Sequence, residues 1–276
     1  MSEGALRRLQ DGDDVILPLS AEEEAELQEV EGLAIGEIAG RDAIAAVLKD
    51  LERDEIKAVL PTAIFVPTEY GDHAIVEKAT AQLREVAGKR FGKRVYDLQW
   101  VGSPRLWAAL NGRYVAELLQ RFNYYSPCPG CHLYMHACRI PLARRLGAEW
   151  IISGERESHD GRLKINQTDV SLEAFRKVVG GLGVDLSLPV RHTAKGEEIV
   201  DLLGGESWLE GERQLKCVFS GNYGLIGGDV AYQPNAQQRF FDEFAGPLVT
   251  TVVEAWIDGR EIDPLQEAKA LLAAAA

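Results

Sequence analysis

From Leu33 onward the chain alternates short apolar runs with stretches of helical apolar spacing, which confines it to a mainly parallel sheet built from repeated strand–helix units. AIGEI (residues 34–38) reads as the first strand, AGRD as a tight turn and AIAAVLKDLE (43–52) as the first helix. A second strand is expected over 57–68 and a second helix over 73–88. A third strand follows over 94–102, then a long helix over 104–122. After the loop YYSPCPGC the spacing predicts a helix at about 132–147, kinked or restarted by Pro141 because proline has no N–H to give the helical ladder. EWIISGE (149–155) reads as the fourth strand and DLSLPVR (185–191) as the fifth, with SLEAFRKVVGG and GEEIVDLLG as the helices after them. The expected fold is a doubly wound α/β sheet over 33–205. An acidic N-terminal arm (1–32) precedes it and a small, less regular C-terminal extension (206–276) follows.

The formal charge of −13 repels phosphate over most of the surface, so a small-molecule substrate is favoured over a large RNA. The local basic runs GKRFGKR and CRIPLARR are where a tRNA-binding patch would have to form. No apolar run approaches the roughly 18–20 residues of a membrane helix, and the first residues lack the apolar core of a secretion signal. A cytoplasmic protein with no membrane partner is expected, and a homodimer is compatible with this composition.

Ligands of open α/β sheets settle at the carboxyl ends of strands, where amides at a helix start hold phosphate. The turn after the first strand, Ala39, Gly40, Arg41 and Asp42, lies at such a place. Gly40 permits close approach of backbone to an anion, Arg41 adds charge, and Asp42 caps the helix or helps to hold magnesium. The same residues also suit an ordinary strand-to-helix turn. Their order resembles the phosphate loop S-G-G-x-D-S of the PP-loop ATP pyrophosphatases, of which the second glycine and the aspartate stand here as Gly40 and Asp42, while both serines are replaced. Backbone amides do not depend on those hydroxyls.

The segment GAEWIISGERESHDGRLKINQ extends the resemblance, with Ser153, Gly154 and Glu155 ending the fourth strand where such enzymes read "itGe" and face their nucleotide. Arg156 and Lys164 are candidates for neutralising phosphate oxygens. A solvated charged loop is the alternative for them.

Four cysteines are too few for a disulfide scaffold in a chain of this length, so the spacing CPGC (Cys128, Cys131) points to metal, redox or catalytic use. A following helix is expected to lower the thiol pKa. Cys217 lies far along the chain, where folding can return it to the same edge, and Cys138 is the odd one out. Three thiolates can hold three irons of a four-iron cluster, or make most of a zinc site. A structural zinc, a redox pair or two buried thiols explain CPGC alone as well. A CxxC with a distant third cysteine resembles the iron–sulfur tRNA-thiolating branch of the PP-loop enzymes. That resemblance implies Cys128, Cys131 and Cys217 as ligands of a 4Fe-4S cluster, with Zn2+ as the alternative metal. His132 and His136 are either ligands or ordinary core histidines, and Trp100, Trp107, Tyr124 and Tyr125 line a cleft or pack the core.

Taken together, the resemblance implies a HUP- or Rossmann-like enzyme with ATP and Mg2+ as cofactors. Such an enzyme activates a substrate carbonyl as an adenylate for transfer of sulfur or nitrogen, with Asp42, Arg156 and Lys164 in catalytic roles. An iron–sulfur enzyme that moves sulfur without ATP and a zinc-stabilised nucleotide-binding protein are the competing readings.

Overall fold

The computed structural model of the chain describes residues 2–123, 125–204 and 214–274, so Tyr124 and the first part of the expected C-terminal extension lie outside the described residues. Two helices, α1 (Ser2–Gln10) and α2 (Ala21–Gln28), lead into β1 (Leu33–Glu37), α3 (Arg41–Asp50), β2 (Ala58–Ile64), β3 (Glu69–Tyr70) and α4 (Ala74–Phe91). There follow β4 (Arg94–Val95), β5 (Gln99–Val101), α5 (Pro104–Asn111), α6 (Val115–Phe122), α7 (Pro127–Leu146) and β6 (Trp150–Ile152). A 3-10 turn (Ile165–Gln167) precedes α8 (Asp169–Gly181), β7 (Asp185–Ser187), α9 (Gly196–Leu202) and β8 (Lys216–Cys217). Then α10 (Pro234–Phe240) runs through a π-turn (Phe241–Ala245) into α11 (Gly246–Ile257), and α12 (Pro264–Ala274) follows.

The main sheet is parallel throughout, in the order β4 and β5, β2, β1, β6, β7. This is the mixed α/β, mostly parallel and doubly wound architecture expected from the alternation of apolar runs. Successive residues of a strand face opposite sides, and the core divides accordingly. Ile35, Leu60 and Ile151 pack with Leu133 and Ile140 of α7 and Leu248 and Val252 of α11 on one face. Ala34, Val59 and Ile152 pack with Ile44 and Val47 of α3 and Leu83 of α4 on the other. The flanking segments share these cores: Leu9 and Val15 belong to the second cluster, and Phe240, Phe241 and Phe244 to the first.

Pro61 sits inside β2, where a missing N–H would ordinarily break a ladder. Its neighbour Thr62 directs its carbonyl to Ile38 N at 2.9 Å, so Pro61 faces the opposite edge, where the partner strand is itself interrupted between β4 and β5.

Three local expectations are corrected. The long helix over 104–122 is two helices, α5 and α6, parted after Asn111, where Gly112 caps the first. The helix expected from residue 132 begins at Pro127 because Ser126 caps it through Cys128 N (3.4 Å) and proline fits the first helical position, so CPGC is its first turn and not a preceding loop. Pro141 does not restart it: it lies inside α7, which is one helix of 20 residues.

From β1 the chain moves outward to β2, β4 and β5, then returns through α7 to β6 on the other side of β1. The strand order therefore reverses at the carboxyl ends of β1 and β6, which is where an open α/β sheet leaves a crevice.

Candidate functional site

That crevice is a cleft of about 850 Å³ lined by the turn Ala39 to Ala43, by Gly154 and Glu155 after β6, and by Glu37, Glu69, His132, Met135, Lys164, Gln167, Gln214 and Leu215. Helix α3 begins at Arg41 with no side-chain cap at Gly40, and the turn at its positively polarised start lines the cleft. Gly154 makes this closeness possible. A Cβ there would lie 2.3 Å from Ala43 N and 2.6 Å from the Asp42 carbonyl carbon, so only glycine lets the end of β6 rest on the start of α3.

The charged residues of the turn divide their duties. Asp42 accepts from Arg156 Nε at 3.1 Å through Oδ2, while its Oδ1 is buried, makes no hydrogen bond and lies 3.6 Å from Arg41 Nε. Arg156 is 1% exposed and stands behind the turn, donating also to Thr193 O at 3.1 Å and to His159 Nδ1 at 3.0 Å. It holds the turn rather than facing the cleft. Ser153 is likewise buried, donating to Glu37 Oε2. Lys164 lines the cleft itself.

A second cleft, of about 750 Å³, adjoins the first and shares Glu69, His132, Met135, Lys164 and Gln167 with it. Cys128, Cys131 and Cys217 all line this second cleft, with Thr68, Trp107, Phe219 and Tyr223. The first two come from the opening turn of α7, three residues apart and so on one helical face. Cys217 is delivered by the antiparallel ribbon of β3 and β8, in which it faces Glu69. Trp107 Nε1 donates to Cys131 Sγ at 3.3 Å, Phe219 N to Cys217 Sγ at 3.4 Å, and Thr68 Oγ1 lies 3.4 Å from Cys217 Sγ. Cys138 is wholly buried in the core and does not join them.

The expectation that the helix start lowers the thiol pKa is corrected. Burial pushes the Cys128 thiol up to about 11, against the Ser126 hydrogen bond and with the Cys217 thiol nearby; burial also raises the Cys131 thiol, against the Trp107 hydrogen bond. Desolvation outweighs the partial charge of a helix terminus here. Among the described residues no group of three His, Cys, Asp or Glu side chains stands close enough together to hold a metal ion.

Several residues of the site carried no motif. Glu37 ends β1 and is 5% exposed; it accepts from Ser153 Oγ, Gly154 N (3.0 Å) and Arg139 Nη2 (3.5 Å). Arg139 in turn donates to Thr62 Oγ1 and Met135 O, each at 2.9 Å. Glu155 is the acceptor for His132 Nδ1 at 2.6 Å, His136 Nε2 at 3.3 Å and Gln167 Nε2. Burial opposes its charge, but the two histidines beside it more than offset that and hold the carboxyl well below the usual carboxylate range. Both ring nitrogens of His132 have protein partners, the second being Asn166 at 2.7 Å, which leaves it none for a metal in this arrangement. Glu69, at the waist between the clefts, has its carboxyl raised to about 7 by burial, with His132 lowering and Glu37 raising it. A lone acidic residue at the end of an otherwise apolar strand was the one sequence signal that marked Glu37.

No family model matches the sequence. The chain is 38% identical over 252 residues to Uncharacterized protein MJ0009 of Methanocaldococcus jannaschii, a similarity that spans 88% of this chain and 89% of that one. Among the described residues no helix is long and apolar enough to cross a membrane.

Proposed function

We propose that this chain, which belongs to the family of the archaeal protein MJ0009, is an ATP-dependent enzyme that activates a substrate carbonyl as an adenylate and completes the exchange at an adjoining three-cysteine centre. One observation carries the reading. A cleft at the uncapped start of α3 opens into a cleft lined by Cys128, Cys131 and Cys217, through a waist formed by Glu69, His132, Met135, Lys164 and Gln167.

The donor sets suit the groups that this chemistry needs. Cys128 and Cys131 of α7 and Cys217 of β8 line one cleft, with Trp107 Nε1 on Cys131 Sγ, and thiols are the soft ligands that an iron–sulfur cluster takes. Asp42 Oδ1, buried and without a hydrogen bond, is the oxygen that would meet a magnesium ion neutralising the phosphates. Bound at Cys128, Cys131 and Cys217, a cluster would supply a site for holding sulfide close to the substrate.

The chain's own groups do the rest. Amides of the first turn of α3, with Arg41 and Lys164 lining the cleft, hold the anionic phosphates. In the first half-reaction a substrate carbonyl or amide oxygen forms a bond to the α-phosphorus while the bond to pyrophosphate breaks, and pyrophosphate leaves. In the second, sulfur or nitrogen adds to the activated carbon, the carbon–oxygen bond breaks, and AMP leaves with the oxygen. The preorganised donors at the turn stabilise the charge that develops on phosphate. The clefts favour a small molecule or an exposed end of a larger one, and the net charge of −13 favours the former.

Calorimetric titration with ATP, with and without magnesium, together with anaerobic iron, zinc and sulfide determination, tests the reading. Expected are ATP binding tightened by magnesium, and iron that is retained by the parent chain and by Cys138→Ser but lost in Cys128→Ser, Cys131→Ser and Cys217→Ser. Absence of nucleotide binding, zinc in place of iron, or iron content indifferent to Cys217→Ser would each overturn it.

A further inference from the structure

Between the two clefts runs a continuous buried chain of hydrogen bonds that the proposed reaction does not use. Arg156, bound to Asp42, reaches His159 Nδ1 at 3.0 Å; His159 Nε2 meets Gln167 Oε1; Gln167 Nε2 meets Glu155 Oε2; and Glu155 Oε1 receives His132 Nδ1 at 2.6 Å. Arg156 and His159 are 1% exposed, Glu155 2% and Gln167 7%, so the bonds among these four are shielded from bulk water.

A guanidinium has donors and no acceptor, which fixes the sense of every bond after it. His159 Nδ1 must offer its lone pair to Arg156, so the ring is neutral and carries its proton on Nε2. That proton turns the Gln167 carboxamide oxygen toward His159 and its NH2 group toward Glu155. Glu155, ionised, only accepts. We propose that Gln167 is a positioning residue whose carboxamide, oriented by Arg156 through His159, fixes the Glu155–His132 pair at the waist of the two clefts. Burial, with the charges of Lys164 and Arg156, also holds His159 at about 4, in keeping with a neutral ring. The relay ties the turn that carries Asp42 to the ring that lines the thiol cleft, so neither end is free to settle by itself. It rests on the proposed function only for what its two ends do. The bond directions stand without any nucleotide.

Histidine ring nitrogen–proton correlation spectra of the full 15N-labelled chain at pH 7 test the relay. In the parent chain His159 is expected as the neutral Nε2–H tautomer. Arg156→Met is expected to release that tautomer into a mixture and to shift the ring resonances of His132. In a Gln167→Met background the same Arg156→Met change is expected to leave His132 unmoved, because the connection is cut. His159 found as the Nδ1–H tautomer or as imidazolium in the parent chain overturns the proposal, and that measurement needs no variant to fold. So does a His132 shift of equal size with and without Gln167. Failure of ATP to bind would remove the proposed function and leave these spectra as they are.

Discussion

Glu69 and Cys217 face each other across the antiparallel ribbon of β3 and β8, so the acidic residue at the waist and the most distant of the three thiols are placed by the same pair of short strands. Burial is the largest influence on Glu69 and lifts its carboxyl from 4.5 to about 7. A carboxyl raised in the folded chain contributes stability below its unfolded value and loses it as pH rises through the folded value. In the metal-free chain Glu69→Gln is therefore expected to be no more stable than the parent at pH 4.5 and progressively more stable up to about pH 7. Urea midpoints of the two chains across that range check this, and a constant difference would refute it.

Gly154→Ala places a methyl group 2.3 Å from Ala43 N, against the backbone of residues 42 and 43. Overpacking of this kind costs about 1–3 kcal/mol. The expected outcome is a lower denaturation midpoint accompanied by weaker ATP binding, because the strain falls on the start of α3. Chemical denaturation and titration of the same sample separate the two effects. A midpoint equal to that of the parent chain would show that β6 does not rest on α3 this closely.

Arg139 and Glu37 form a buried pair, 1% and 7% exposed at their side chains, with Thr62 and Met135 O completing the arginine's bonds. Removing one member of such a pair strands the other and costs about 3–5 kcal/mol. Arg139→Met is expected to destabilise by that amount, and addition of Glu37→Gln to return part of it. A double-mutant cycle from urea denaturation measures the coupling; simple additivity would mean that the two groups do not depend on each other.

His159 is lowered from 6.5 to about 4, chiefly by burial, then by Lys164 and Arg156. Between those values the unfolded chain binds more protons than the folded one, so folding stability falls as pH is lowered from 6.5 toward 4. His159→Gln, which cannot take up the proton, is expected to flatten this part of the stability profile. Denaturation midpoints at pH 7, 5.5 and 4.5 decide it, since parallel profiles would place the acid sensitivity elsewhere.

The sheet was legible because its evidence is local: β1, α3 and β6 fall within runs whose apolar spacing is complete in a dozen residues or fewer. The cysteine set was legible as a pattern, and the structure places all three on one cleft. What escaped were polar groups whose partners lie far along the chain. Glu37 and Arg139 are 102 residues apart, and nothing in either neighbourhood announces the other. Arg156 read as a phosphate ligand because position after a core strand says nothing about which way a side chain turns; it turns inward, to Asp42 and His159. The start of α7 was missed because proline and glycine in CPGC suggest a turn, whereas Ser126 and Pro127 together cap and open a helix.

The β3–β8 ribbon is only two residue pairs long. So short a ladder supplies little of the cohesion that holds the parallel strands together, and it belongs to the part of a fold that opens first. A ligand gripping Cys217 together with the two sulfurs of α7 would act as a clasp, sealing residues 214–232 against the body of the protein with a strength set by the ligand's concentration relative to its Kd. Susceptibility of that stretch to a protease would thus be a gauge of how fully the thiol cleft is loaded.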